Sequence, residues 1–360
     1  MMATTQSAIS PSENKPKYVK RTTRDHSQRT RFIVQGLFLF LNLWLGLQFY
    51  IWVLAIEHGI LAHFEKPAGV EGWLPIAGLM NAKYFLMTGH VPDVHPAAMF
   101  LFLAFVVMSL LLKRAFCSWL CPVGSVSEFL WKSGRRLFRG NVILPRWLDI
   151  PLRGLKYLLL GFFVFVIGMM SADALVEFMH SPYAVVADVK MLNFFRHMGL
   201  TAGVVMLLLV VGSVFIKNLW CRYLCPYGAL LGLVSVLSPV KIRRDTEACI
   251  ACGKCARVCP AQLKVDKLVQ ITSVECNACM ECVAACASSH ALQFALMPAR
   301  KTALSQRWTG RVFHPWMLAG ALAFIFFAFV LYARATHHWQ TNISPAVYQD
   351  LVLNSDNIEH

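Results

Sequence analysis

The sequence predicts an all-α polytopic membrane protein with about five transmembrane helices and a small α+β domain inserted before the last of them. Three observations carry that fold class. The 360 residues are 57% hydrophobic and only 15% charged, with a mean hydropathy of +0.53, outside the usual range of soluble domains. Five segments are long and apolar enough to cross a bilayer, which takes about 20 residues. All twelve cysteines fall in four short motifs, none being left for a scattered disulfide framework, so the thiols read as ligands or redox groups in a reducing compartment.

The five spans cover residues 32–56, 96–112, 154–172, 198–216 and 316–333. Residues 1–31 are polar and basic, and they read as a disordered cytoplasmic tail without a signal-peptide cleavage site. Segments 1–31, 113–156 and 217–315 hold 7, 9 and 13 Lys and Arg, Lys156 lying just inside the third span, while 57–95, 173–197 and 334–360 hold 2, 2 and 1. The positive-inside rule therefore expects a bacterial inner-membrane protein with its N-terminus and every cysteine motif in the cytoplasm and its C-terminus in the periplasm. The net charge of +15 follows from this topology, and no nucleic-acid partner is expected.

Residues 249–260, CIACGKCARVCP, and 276–286, CNACMECVAAC, both carry the spacing C-x2-C-x2-C-x3-C. That is the pattern of a bacterial two-cluster ferredoxin, in which the fourth cysteine of each run reaches across to the other cluster. A pair of structural zinc sites is the weaker alternative, since zinc has no need of the third and fourth cysteines at this spacing. The crossed pattern assigns Cys249, Cys252, Cys255 and Cys286 to one 4Fe-4S cluster, and Cys276, Cys279, Cys282 and Cys259 to the other. The inserted domain is thus a 2[4Fe-4S] ferredoxin-like unit. Gly253, beside a ligand, reads either as an aid to close backbone approach or as an ordinary turn glycine.

FCSWLCPVG, 116–124, closes the second span, and WCRYLCPYG, 220–228, closes the fourth. Cys, Leu, Cys, Pro and Gly recur in register, so spans one and two with the first copy, and three and four with the second, read as a parallel internal repeat. On a helix the two cysteines of each copy share a face, and the proline after them suits the first turn of a new, interfacial helix. Two pairs related by a twofold axis converge on one site, so Cys117, Cys121, Cys221 and Cys225 are candidate ligands of a third iron-sulfur cluster or of a soft metal such as copper. Separate dithiol pairs, or buried structural cysteines, are the alternatives. The chain then divides into the tail 1–31, membrane repeats 32–153 and 154–244, the insert 245–300, and a last span with a short periplasmic tail, 301–360.

These motifs together resemble the membrane-bound polyferredoxins of the NapH, MauN and CcoG (RdxA/FixG) type, and in outline most of all the YccM-like proteins. The resemblance rests on the two C-x3-C-P motifs and the double cluster run, and spans residues 30 to 335. It implies either transfer of quinol electrons towards a reductase or copper reduction for oxidase assembly.

No haem-attachment, dinucleotide, P-loop or zincin motif occurs, so electrons come from a quinone or a partner protein. The first external segment holds a second apolar stretch with His63, Glu65, Glu71, His90, Asp93 and His95. These suit proton acceptors of a quinone pocket, structural pairing being the commoner role of such residues. His337 and His338 read as a solvated tail or a copper contact. Two functions follow, with no catalytic residue assigned. One is an electron-transfer subunit relaying single electrons between the quinone pool or a cytoplasmic donor and a redox partner, a cytochrome or reductase. The other is a copper reductase or maturation factor.

Overall fold

The computed structural model describes residue 21 and residues 25–59, 65–288, 291–296, 312–355 and 358. Most of the basic tail, and His63, lie outside the described residues. In chain order the helices are α1 (Ser27–Glu57), α2 (Pro75–Thr88), α3 (Pro96–Leu112), α4 (Phe116–Trp119), α5 (Pro122–Leu137), α6 (Arg146–Met169), α7 (Ala172–Met179), α8 (Pro182–Val185), α9 (Ala187–Arg196), α10 (Leu200–Phe215) and α11 (Pro226–Val234). The insert follows as β1 (Val240–Arg244), α12 (Lys254–Val258), α13 (Glu281–Ala284) and β2 (Leu292–Leu296), and then come α14 (Pro315–Ala335) and α15 (Pro345–Leu353).

Three of the five expected spans, α1, α6 and α14, are single helices of membrane length, with 31, 24 and 21 residues. A fourth is reached only by joining α9 and α10 across a bend of 84°. The expected second span is α3, a helix of 17 residues at the predicted positions, so among the described residues the helices of at least 18 residues that could cross a membrane number three, or up to four, where the sequence predicts five. Apolarity has two causes, and hydropathy does not separate them. A helix that is apolar all round lies in a protein core or spans a membrane, and α3 is the buried centre of this fold, with Ala97, Met99, Ala104 and Met108 fully enclosed.

Around that centre the packing is reciprocal. Helix α5, which follows the first C-x3-C-P, packs on α10, while α11, which follows the second, packs on α3 and α6. The approach of α5 to α10 is close: a Cβ on Gly134 would lie 2.0 Å from the Val214 carbonyl oxygen. The second apolar stretch of the first external segment is α2, which lies along α3 at a similar close contact. There a Cβ on Gly78 would lie 2.8 Å from the Ala98 carbonyl.

The insert's sheet is the antiparallel pair β1–β2, in register Val240↔Leu296, Ile242↔Phe294 and Arg244↔Leu292. It starts at Val240, ahead of residue 245. Helix α1 also starts before its apolar run. Arg31 in its second turn is buried and pairs with Glu128 of α5 and Glu281 of α13, so the end of the basic segment is built into the fold.

At the opposite end of α3 the C-terminal segment forms a folded strap. Trp339 is buried, the Asn342 N–H donates to the Asp93 carbonyl, and Gln340 donates to Glu65. Tyr348 and Val352 of α15 pack with Phe49 and Trp52 of α1. Beneath lies a buried charge network. Lys66 Nζ sits 2.6 Å from Asp188 and 3.1 Å from Glu71, which is also 3.1 Å from His95 Nδ1. The Tyr348 hydroxyl donates to Asp188 at 3.0 Å and that of Thr341 to Glu71 at 3.0 Å. His90 and Asp93 are exposed, as are His337 and His338.

Removing one member of a buried ion pair strands the other, at a cost of about 3–5 kcal/mol. Lys66→Met is therefore expected to lower the thermal unfolding temperature of the detergent-solubilised protein strongly, and Tyr348→Phe to lower it less. Burial alone would raise the Glu71 carboxyl, but Lys66 and His95 hold it at about 2. Its folded value lies below the unfolded one, so this stabilisation is complete above roughly pH 4.3 and fades as the pH falls towards 2. Unfolding temperatures measured from pH 6 downwards test this, and Glu71→Gln should flatten that decline.

Candidate iron-sulfur site

The two cysteine runs of the insert fold alike. In the first, Ala251 and Gly253 have φ of +51° and +65°; in the second, Ala278 and Met280, at the same places, have +51° and +58°. Side chains other than glycine rarely adopt this region. Alternating right- and left-handed residues turn successive backbone N–H groups into a concave nest, a form common around iron-sulfur centres. Gly253 thus takes a left-handed turn that Met280 takes without glycine's freedom.

The nests border two hollows. Cys249, Cys252, Cys255 and Cys286 line one; Cys259, Cys276, Cys279 and Cys282 line the other, against Ile242, Val265 and Ile271. The four cysteines of the second hollow are buried, whereas Cys252 is the single exposed cysteine of the twelve. Four thiols around a common space fit a cubane cluster, which supplies reversible one-electron storage when bound.

A third hollow lies where the membrane helices meet the insert, lined by Cys117, Cys221, Arg114, Arg222, Glu128 and Glu275, and by Pro260, Ala261 and Asn277 of the insert. The C-x3-C segments are not continuous helices. In the first copy α4 ends at Trp119 and Cys121 is extended; in the second a single π turn, Trp220–Leu224, ends at an extended Cys225. Each second cysteine thus becomes the residue before a proline-led helix, α5 or α11. The Gly228 N–H donates to Cys225 Sγ at 3.2 Å. Cys221 lies within electrostatic reach of Cys117, Cys121 and Cys225, so the two copies do converge.

Burial pushes the Cys117 thiol up to about 12, against the pull of Arg114, and Cys121 to about 11. Such thiols stay protonated until a metal displaces the proton.

Buried cations join the membrane helices to the insert. Lys113 Nζ donates to the Thr272 and Ser273 carbonyls at 3.2 and 3.0 Å, and Arg114 to those of Gly228 and Glu275 at 3.1 and 3.3 Å. Lys156 meets both oxygens of Glu275 at 2.7 and 2.9 Å. Arg222 spans Asp149, at 2.9 Å, and Gln262, at 3.0 Å. Trp119 Nε1 donates to the Ala278 carbonyl at 3.2 Å, inside the nest. The sequence reading passed over these residues. One signal was present: Lys113 and Lys217 each stand four residues before the first cysteine of their copy, and Lys217 likewise donates to an insert carbonyl, that of Arg257, at 3.3 Å.

Three thiol-lined hollows running from the edge of the membrane helices into a ferredoxin-like insert define a membrane-associated iron-sulfur electron-transfer protein. The family model described as "4Fe-4S binding domain" matches the chain twice, at residues 94–142 and 198–245, and "4Fe-4S dicluster domain" matches residues 241–287. The YccM protein of Escherichia coli (strain K12) is 49% identical over 331 residues, covering 92% of this chain and 91% of that protein. Ferredoxin-type protein NapH of the same organism is 25% identical over 71% of this chain and 83% of its own length. Regulatory protein NosR of Pseudomonas aeruginosa is 32% identical over 59% of this chain and 29% of its own length. No solved structure matches. The chain belongs to the YccM/NapH/NosR family of membrane-associated 4Fe-4S ferredoxin-like proteins, and two 4Fe-4S clusters are its cofactors.

The repeated glycine after C-P has unequal meaning in the two copies. A Cβ on Gly124 would fall 2.2 Å from the Cys117 carbonyl oxygen, while one on Gly228 would meet Cys225 Sγ at an ordinary 3.5 Å. Gly124→Ala is therefore expected to destabilise the protein by about 1–3 kcal/mol and expose Cys117. Gly228→Ala should be nearly neutral. Thermal unfolding and the rate of maleimide labelling at Cys117 report both.

Proposed function

We propose that this chain is a one-electron relay of the bacterial inner membrane, with all its redox centres at the cytoplasmic end. Cys249, Cys252, Cys255 and Cys286 hold one 4Fe-4S cluster, Cys259, Cys276, Cys279 and Cys282 the second, and Cys117, Cys121, Cys221 and Cys225 a third. The observation that carries the reading is the shared wall. Pro260, Ala261 and Asn277 border both the hollow of Cys259 and Cys276 and the hollow of Cys117 and Cys221. The centres therefore line up from an exposed thiol, through buried ones, to the membrane edge. A relay needs that order.

The chain's own residues set the conditions at each stage. Arg114, Lys156 and Arg222 bring positive charge to a site that thiolates make negative. Apolar residues such as Ile242 and Val265 exclude water from the middle hollow. Reciprocal packing of α5 on α10 and α11 on α3 supports the parallel repeat. A quinone partner exchanges electrons at this same end. Glu71 and His95 lie beyond the other end of the 17-residue α3, about 26 Å away, where they fasten the strap.

Iron and sulfide analysis with EPR on anaerobically purified protein tests the reading. About 12 iron per chain is expected, against about 8 if the insert's clusters stand alone. Cys121→Ser and Cys225→Ser should each remove the same third signal. Loss with one and retention with the other refutes a shared site, and stoichiometric copper at about 8 iron makes the chain a copper-handling factor instead.

A further inference from the structure

We propose that the face around Cys252 docks an acidic, one-electron redox protein. The proposal rests on the assignment of a cluster to Cys249, Cys252, Cys255 and Cys286. Between residues 246 and 269 the exposed charged residues are Lys254, Arg257, Lys264 and Lys267, with Glu247 the one exposed carboxylate. Exposed aliphatic side chains lie among them, namely Ile250, Leu268 and Val269, at 40, 40 and 45% of full exposure. Apolar contact ringed by one sign of charge suits a transient protein interface, with the charge steering the encounter.

The cations and the thiol belong to one opening. Lys254 and Asp266 line the hollow of Cys252, and α12, which carries Lys254 and Arg257, packs on the turn Val265–Lys267. Arg257 Nη2 donates to the Cys252 carbonyl at 3.3 Å, which fixes a positive charge beside the exposed ligand. The face is also turned away from the membrane edge. The hollow of Cys259 shares three lining residues with the membrane-edge hollow, while that of Cys252 shares none. A protein arriving from solution is therefore the fitting occupant, more so than a lipid surface.

The step is simple to balance. The partner loses one electron and is oxidised, iron held by Cys252 and its three companions gains it, and no proton or heavy atom is exchanged.

The test uses the full chain, with its clusters, in nanodiscs, and flavodoxin as an acidic one-electron probe. Lys264→Glu/Lys267→Glu, which leaves every cysteine and its hydrogen bonds in place, should weaken flavodoxin binding in the absence of reductant about tenfold. The rate constant for reduction by flavodoxin hydroquinone should fall similarly. In the parent protein both should drop as salt rises from 0.05 to 0.5 M, with screening length shrinking as expected, and reduction by dithionite should be unchanged in both proteins. Equal binding and rates in parent and variant, or no response to salt, overturns the proposal. It is equally overturned if the variant's effect appears only in discs of anionic lipid, which would put the face on the bilayer. EPR of the same samples reports the cluster independently, so failure of docking and failure of the cluster assignment are told apart.

Discussion

The fold turns on cations that leave the ends of the membrane helices and bind the backbone of the insert. Lys113, Arg114, Lys156 and Arg222 are all buried, a place charged residues occupy only when paired or fully hydrogen-bonded. Their partners in the insert are the Thr272, Ser273 and Glu275 carbonyls, the Glu275 carboxylate and the Gln262 side chain, joined on the membrane helices by the Gly228 carbonyl and the Asp149 carboxylate. A hydrophobic interface would hold two domains together as well. These charges also fix orientation, since a guanidinium or ammonium in a dry junction has few arrangements that satisfy it. The same charges offset the negative charge of thiolate-bound iron, so mechanical attachment and electrostatic tuning fall to one set of side chains.

Beside that junction, the membrane helices bring together two thiol pairs lying about a hundred residues apart in the chain. The reciprocal seating of α5 and α11 does this. Each helix starts at the proline after its second cysteine, where a fixed φ and a missing N–H cost nothing, and each runs against the opposite half of the molecule. Displacing either would separate the pairs, which is why a glycine contact as small as that of Gly124 on Cys117 bears on the site.

Much of this was legible in the sequence because cysteine spacing, proline and glycine are local signals. Pro122 and Pro226 do open helices, and the double cluster run does sit in a two-stranded insert. What escaped depends on three dimensions. The central place of α3, with Ala97, Met99, Ala104 and Met108 enclosed by protein, leaves no mark in a hydropathy profile. Lys113 and Arg222 were counted as topology signals, although they also hold the insert. The segment after α14 is short and polar enough to read as a solvated tail, yet Tyr348 and Val352 find an apolar seat on α1 that no local pattern announces, and Trp339 is buried in the core around α3. Glu71 and His95 carry the chemistry of proton acceptors, and their pairing with each other and with Lys66 and Thr341 depends on segments far apart in the chain.

The strap has a bearing on biogenesis. Glu71 and Asp188 belong to segments synthesised early and midway, while Thr341 and Tyr348 emerge only after α14. Until the last helix has docked, two buried carboxylates lack part of their hydrogen-bonding complement, and the apolar patch around Trp52 lies open. Docking of α14 and the segment that follows it is thereby registered at the end of α3 opposite the C-x3-C-P cysteines.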